Sequence, residues 1–201
     1  MSSRDHHRPA TPGAAYFESL PAGLDPEERQ RVADRTATVL VRGARQAGDA
    51  EIAERVIRLA DAEGLESLAD LWSFSAADSL AGALWRLYVV RAWIHADPHR
   101  AAEAYAAGQS TAQVSRVIAG VSDPPTPDSI CATIDDVMRG IVHGAFVDVL
   151  WRAAAVVHVL AAGQGLRQSL GTSTVREAAR LITLAEQLEA AGHLEHSGRL
   201  F

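Results

Sequence analysis

The stretch from His95 to His99, HADPH, brings two imidazoles and one carboxylate close together in the sequence. Histidine and aspartate are common metal ligands, so a metal site is the chemistry that these residue types would support. Asp97 directly precedes a proline, which is typical of the N-cap that begins a helix, and no further ligand cluster accompanies the stretch. We therefore interpret it as a polar junction between helices, and we predict no metal site and no cofactor.

The sequence lacks the common motifs that place catalytic residues. The sequence contains no nucleophile elbow, no Walker loop and no dinucleotide-binding fingerprint. The single cysteine, Cys131, lies in a predicted helix with no patterned base nearby, which is typical of an inert core residue. We therefore predict no catalytic residue and expect that the protein is not an enzyme.

Residues 107–120, AGQSTAQVSRVIAG, resemble the helix-turn-helix of lac-repressor-type regulators, which typically reads A-G-V-S-x-A-T-V-S-R-V-I-N-G. In such a motif the second helix lies in the major groove of DNA. The segment lies in the middle of the chain and a proline-rich loop follows it, so the alternative is a short capped helix within a bundle. The resemblance implies these DNA-contacting residues: Thr111, Gln113, Ser115 and Arg116.

Arg91 falls among apolar residues on one face of a predicted helix. A buried arginine needs a carboxylate partner, because its desolvation is otherwise uncompensated. We predict a buried ion-pair network in which Asp148 binds Arg91 and Arg152, four residues further on, joins it. Such a network more often fixes the register of helices than it catalyses a reaction. The alternative is that Arg91 extends to an edge and contacts a partner protein.

The segment that positions Arg91 is residues 75–97, SAADSLAGALWRLYVVRAWIHAD. At about 100° per residue its apolar side chains surround almost the whole helix instead of forming one stripe. A helix of this kind must be covered on most sides, so we predict that it is the central helix of a bundle. Ser75 and Asp78 resemble a capping box at its start.

Further helices are predicted from caps, prolines and glycines along the chain. No stretch has the period-two alternation of strands, so we predict an all-α fold, a single helical bundle of about seven or eight helices around residues 75–97. A change in the apolar face between Gly140 and Ala145 predicts a break between two antiparallel helices. The other expected helices cover about 25–46, 49–63, 65–72, 99–107, 110–118, a segment opening at Thr126-Pro127, a segment ending at Gly163, and 174–191.

The predicted organisation has one domain with a tail at each end. Residues 1–24 contain prolines and glycines without periodicity and are expected to be a flexible tail. Residues 25–192 form the all-α domain, with a possible subdomain break at 120–127, where three prolines exclude a helix interior. Residues 193–201 are expected to fray.

Amino-acid composition indicates which partners the protein can bind and in which cellular compartment it is expected. The net charge is −6, and all 19 basic residues are arginine. Nucleic acid is therefore disfavoured, because phosphate binding usually needs a basic field. One cysteine excludes an intrachain disulfide, and the start lacks an apolar signal region, so we expect a cytoplasmic protein. The most apolar run, 145–163, is interrupted by charged residues and is judged too short to span a membrane.

Several short motifs, DSL at 78–80, ALWRLY at 83–88, PD at 127–128, RG at 139–140 and AA at 153–154, carry a resemblance to a known family. They resemble an uncharacterised family of small helical proteins from high-GC Gram-positive bacteria. Some members are labelled "DNA-directed RNA polymerase subunit beta". Nothing here resembles the catalytic core of that very large subunit, so the label implies at most an association, and we interpret it as a mislabelling. The resemblance implies no catalytic residues.

These observations favour a non-enzymatic helical interaction or regulatory module in the cytoplasm. We expect it to bind a protein partner or a second copy of itself through helix faces, without contacting a membrane. The first alternative is a DNA-binding transcriptional regulator that uses residues 107–120. The second is a ligand-binding or metal-binding protein, for which the sequence contains no positive motif.

Overall fold

The computed structural model describes residues 25–43, 66–143, 145–166 and 172–201. These ranges form eight helices and no strand, which confirms the predicted all-α bundle. The predicted tail at 1–24 and the predicted helix at 49–63 lie outside the described residues. The helices are α1 (Pro26–Arg42), α2 (Glu66–Trp72), α3 (Leu80–Ala96), α4 (Pro98–Gly108), α5 (Gln113–Ala119), α6 (Pro127–His143), α7 (Phe146–Leu166) and α8 (Thr172–His196).

Local signals determine where the helices begin, although two predicted helix starts are wrong. Asp97 caps α4, since its side chain accepts the N–H of Arg100 at 3.0 Å. Helix α3 begins five residues later than predicted, with Ser79 and not Ser75 as its N-cap. Ser75 instead donates its backbone N–H to Trp72 in a turn. Helix α5 begins at Gln113 without a side-chain cap, three residues after the predicted start at residue 110.

Helix α7 is the most enclosed element of the bundle. It packs against α3, α4, α5, α6 and α8. By length and composition it is able to cross a membrane, with a mean hydropathy of 1.5, so the expectation that this run is too short is wrong. However, 67% of that apolar window is buried inside the bundle. This is typical of the core helix of a soluble protein.

Helix α3, the tryptophan-rich helix, packs against α1, α2, α4, α6, α7 and α8. One side of it is buried, with Leu84, Leu87 and Ile94 in the core. Trp85 and Trp93 on the other side are only half-buried. The expectation that α3 is covered on almost every side is therefore wrong for that face, which stays open because no described helix packs directly over it.

The predicted break between two antiparallel helices is confirmed, because α6 ends at His143 and α7 begins at Phe146. Gly140 lies where α6 approaches α7, and a Cβ there would be 2.8 Å from Val149 Cγ2. The loop at 120–127 does not separate two cores. Helices on both sides of it pack together, since α6 contacts α3 and α4, and α7 contacts α4 and α5.

The C-terminal residues are docked, so the predicted frayed tail at 193–201 is wrong. Helix α8 continues to His196, and Leu200 is 2% exposed. The carbonyl oxygen of Phe201 accepts the backbone N–H of Leu80 at 2.8 Å. Arg42 forms an ion pair with Glu195, and the hydrogen bond to Glu195 raises the pKa of this guanidinium. The tail is docked because Leu200 belongs to the hydrophobic core and lies beside residues of α1, α3 and α8.

Candidate functional site

The predicted ion-pair network has different partners in the structure. Arg91 Nε donates to Asp135 Oδ1 at 2.8 Å, so its partner lies on α6 and not on α7. Asp148 is exposed at the first turn of α7. Arg152 donates to Asp136 Oδ2 at 3.1 Å.

The predicted Arg91–Asp148 pair is therefore wrong, because Arg91 lies on the side of α3 that faces α6. The pairs are also only partly buried, with 32% of the Arg91 side chain and 35% of the Asp135 side chain exposed. They connect α6 to its neighbours α3 and α7.

The HADPH stretch is a helix junction. His95 Nε2 lies 3.0 Å from Asp135 Oδ1, and Asp97 caps α4. Among the described residues, no group of three or more potential ligands is placed to hold a metal ion. Burial raises the pKa of the Cys131 thiol, and the charges of Asp135 and Asp128 raise it further, which disfavours the reactive thiolate.

The segment that resembles a helix-turn-helix does form two helices, α4 and α5, with a turn between them. Of the predicted DNA-contacting residues, Thr111 and Gln113 are exposed, while Ser115 and Arg116 are half-buried. Arg116 Nη1 lies 3.5 Å from Asp123 Oδ2, so its charge is partly neutralised. This arrangement does not concentrate positive charge on α5.

The outward face of α5 is apolar. Val114 is 75% exposed, Val117 is 76% exposed and Ile118 is also exposed. A DNA-recognition helix would bury its aliphatic residues on the preceding helix and present polar side chains to the bases. Helix α5 presents its aliphatic residues to solvent instead, so this surface is better suited to contact another apolar surface.

A groove of about 950 Å³ lies beside these residues, between α5 and α8 and above α7. Its floor consists of small side chains from α7, and its two walls are aliphatic. Among the described residues, five of the nine large apolar side chains that are exposed lie on α5 or on the α8 wall. We call this surface the apolar groove, defined by Ala154, Ala155 and Ala161 in the floor and by Val114, Ile118, Val175 and Ile182 in the walls.

One end of the apolar groove is aromatic and polar. The Trp151 ring lies 6.1 Å from the His193 ring and 5.7 Å from the His196 ring, measured between centroids. His158 Nε2 lies 3.4 Å from Glu189 Oε2 across the groove. These groups add aromatic surface and polar groups to one end of the aliphatic groove, an arrangement that is suited to binding.

The apolar groove was not among the features predicted from the sequence. The signal was present, since Val114, Val117 and Ile118 have the i, i+3, i+4 spacing of one helix face. From the sequence, this segment is interpreted as a helix-turn-helix or as a short capped helix, and neither interpretation includes an outward apolar face. Only the packing of α5 on α7 through Ala119 shows that it points outward.

Comparisons with known proteins add no further constraint. No family model matches this chain, and no curated protein and no solved structure matches it either. The resemblances noted in the sequence therefore stay predictions. What the protein does has to be inferred from its surfaces.

Proposed function

We propose that this protein is a non-enzymatic helical interaction module, and that its apolar groove binds a second copy of the same chain. The observation that carries the proposal is the exposed aliphatic face of α5 next to an alanine floor on α7. A monomer rarely exposes a contiguous apolar surface without using it for an interaction.

The shape of this surface favours a second copy over an unrelated partner. It combines the exposed aliphatic row of α5, which includes Val117, with a depression floored by alanine. In a two-fold contact the same patch is used by both copies, so the α5 row of each copy can enter the groove of the other. Such a contact buries the exposed aliphatic side chains of both copies.

This doubling matters for the energy of association. Association costs about 4–15 kcal/mol in lost freedom of motion. Burial of one valine or isoleucine side chain contributes about 1.5–3 kcal/mol. Three such residues on α5 of one copy contribute at most about 4.5–9 kcal/mol, whereas the same three on both copies contribute at most about 9–18 kcal/mol, which covers most of the range of that cost.

Charge also permits the contact. Glu189 is the one acidic residue among those lining the apolar groove, and it lies beside His158. The negative charge of the chain, −6 overall, lies mainly elsewhere. Two copies can therefore approach through this face without placing carboxylates opposite one another.

The experiment is the substitution Val117→Glu, followed by sedimentation velocity or light scattering over a concentration series. We expect the native chain to reach twice its 21.4 kDa mass and Val117→Glu to remain monomeric, because a carboxylate would be desolvated at the centre of the contact. Val32→Glu is the matched control, since Val32 is also exposed but lies on α1. A monomeric native chain at every concentration, or equal dimerisation of both variants, would overturn the proposal.

DNA binding is the alternative proposal, supported by the exposed Thr111 and Gln113 near the start of α5. It conflicts with the net charge and with the Arg116–Asp123 pair. A gel shift with genomic DNA at several salt concentrations distinguishes the two, and we expect no salt-dependent shift.

We also propose a cytoplasmic location, supported by the single cysteine and by the burial of α7.

A further inference from the structure

A second groove, of about 800 Å³, lies between α3 and α8 on the opposite side of α8 from most of the apolar groove. On α3 it is lined by Trp85, Val89 and Trp93. These residues are spaced four apart, so their side chains form one row along the helix. The half-buried side of α3, which the fold leaves uncovered, is therefore the aromatic wall of a groove.

The opposite wall carries positive charge. Arg176 and Arg180 on α8 line the groove, and both are exposed. Within the part of the chain that the structure describes, neither forms an ion pair or hydrogen bond. Two like charges at i and i+4 destabilise a helix by a few tenths of a kcal/mol. Helix α8 therefore carries a small electrostatic cost at the position where an anion would relieve it.

A third guanidinium, that of Arg86, is held in place inside the groove. Its Nε donates to Gln187 Oε1 at 2.7 Å, and its Nη1 donates to the carbonyl oxygen of Gly82 at 2.8 Å. Both acceptors are neutral, so these bonds orient the guanidinium without cancelling its charge. Burial lowers the pKa of Arg86, while the charge of Asp78 raises it. Arginine nevertheless stays protonated in proteins.

The carboxylate in this groove is already engaged. Glu177 accepts the Trp93 Nε1–H at 3.0 Å and forms an ion pair with Arg100 on α4. It therefore holds the Trp93 indole in position and is neutralised by a residue outside the lining. The three arginines in the lining keep their positive charge, in a chain whose net charge is −6.

We propose that this tryptophan–arginine groove, defined by Trp85, Trp93, Arg86, Arg176 and Arg180, binds a small planar aromatic carboxylate. The aromatic ring of the ligand packs against the two indoles, and its carboxylate accepts hydrogen bonds from the guanidinium groups of α8. A groove of 800 Å³ is within the range of about 300–1,000 Å³ that small-molecule sites occupy. Small-molecule sites typically combine an aromatic lining with a few polar groups, as this groove does.

The test is calorimetric titration of the full chain with 2-naphthoate, with the neutral 2-naphthamide as the matched ligand. We expect the carboxylate to bind at least about tenfold more tightly than the amide, since charge-assisted hydrogen bonds are lost with the charge. The double variant R176Q/R180Q should lose the same factor. R139Q is the control, because Arg139 is an exposed arginine on α6 that pairs with Asp136.

Each outcome decides the proposal. Preference for naphthoate that disappears in R176Q/R180Q and persists in R139Q supports a carboxylate site in this groove. No binding of naphthoate by the native chain, equal binding of the amide, or equal weakening by R139Q overturns it. The variant Trp85→Phe adds a position-specific readout, because quenching of tryptophan fluorescence by naphthoate should decrease when that indole is replaced.

Discussion

At the scale of single residues, Tyr105 shows how burial controls a titration. Its ring is fully buried, and its hydroxyl has no hydrogen-bond partner among the described residues. Burial raises its pKa to about 12, whereas a tyrosine in an unfolded chain titrates near about 10. The Tyr105 hydroxyl therefore keeps its proton up to a higher pH in the folded state than in the unfolded state.

The consequence is a loss of stability in alkali. The contribution of protonated Tyr105 to the free energy of unfolding is fully present below about pH 10. It falls by about 2–3 kcal/mol in total as the pH rises towards about 12. Tyr105→Phe should lack this loss, and at neutral pH it should be at least as stable, because an unsatisfied buried hydroxyl costs about 1 kcal/mol or more. Urea midpoints of both proteins at neutral and alkaline pH measure this. Parallel alkaline losses would contradict it.

Residue type and spacing predicted the face on which Arg91 lies, but not its partner. The position of Arg91 among Leu84, Leu87 and Ile94 correctly indicated contact with another helix. Its carboxylate partner, Asp135 on α6, was not part of the predicted network. The angle at which two helices cross decides which flanking residues meet, and that angle is not encoded in the periodicity of either helix.

At the scale of helices, the contact between α4 and α7 depends on two glycines. A Cβ at Gly163 would overlap the carbonyl oxygen of Ala104, and a Cβ at Gly108 would overlap that of Val159. The backbones of the two helices therefore lie closer than any side chain permits. The Ala104 and Val159 carbonyl oxygens are fixed by the helices and have no free rotation.

Gly163→Ala should therefore reduce the free energy of unfolding by about 3 kcal/mol, since the overlap forces the helices apart. Gly140→Ala is the matched control. Its Cβ would meet a side-chain methyl group of Val149 and not a backbone carbonyl oxygen, so a smaller shift relieves the contact, and alanine adds about 1 kcal/mol of helix propensity. We expect the control to change stability by less than about 1 kcal/mol. Equal losses in urea denaturation would show that the close crossing is unimportant.

Helix boundaries were predictable where a single strong signal exists. Asp97-Pro98 begins α4 and Gly140 precedes the break after α6 in both the prediction and the structure. The start of α3 was misplaced because two serines offer equivalent caps. Tertiary packing selects between them, since Ser75 is buried in a turn and Ser79 is left to cap the helix.

At the scale of the whole molecule, the sequence indicated the class of fold but not the two grooves. Both grooves exist because helices of unequal length pack around α7 and leave gaps on either side of α8. A gap is a property of three or more elements together. Val117 and Trp85 are residue types that usually lie in a core. Only the complete bundle shows that Val117 is exposed and that Trp85 is half-buried.

The C-terminal tail gives a prediction at the same scale, because it joins α1, α3 and α8. Leu200 is buried in the hydrophobic core, whereas the side chain of Phe201 is 80% exposed. Leu200→Ala should reduce the free energy of unfolding by about 2–5 kcal/mol, the range for a buried leucine. Phe201→Ala should change it by less than about 0.5 kcal/mol, since its backbone carbonyl still accepts the Leu80 N–H. Thermal and urea unfolding of both variants test this, and a larger loss for the phenylalanine would mean that the bulkier ring anchors the tail.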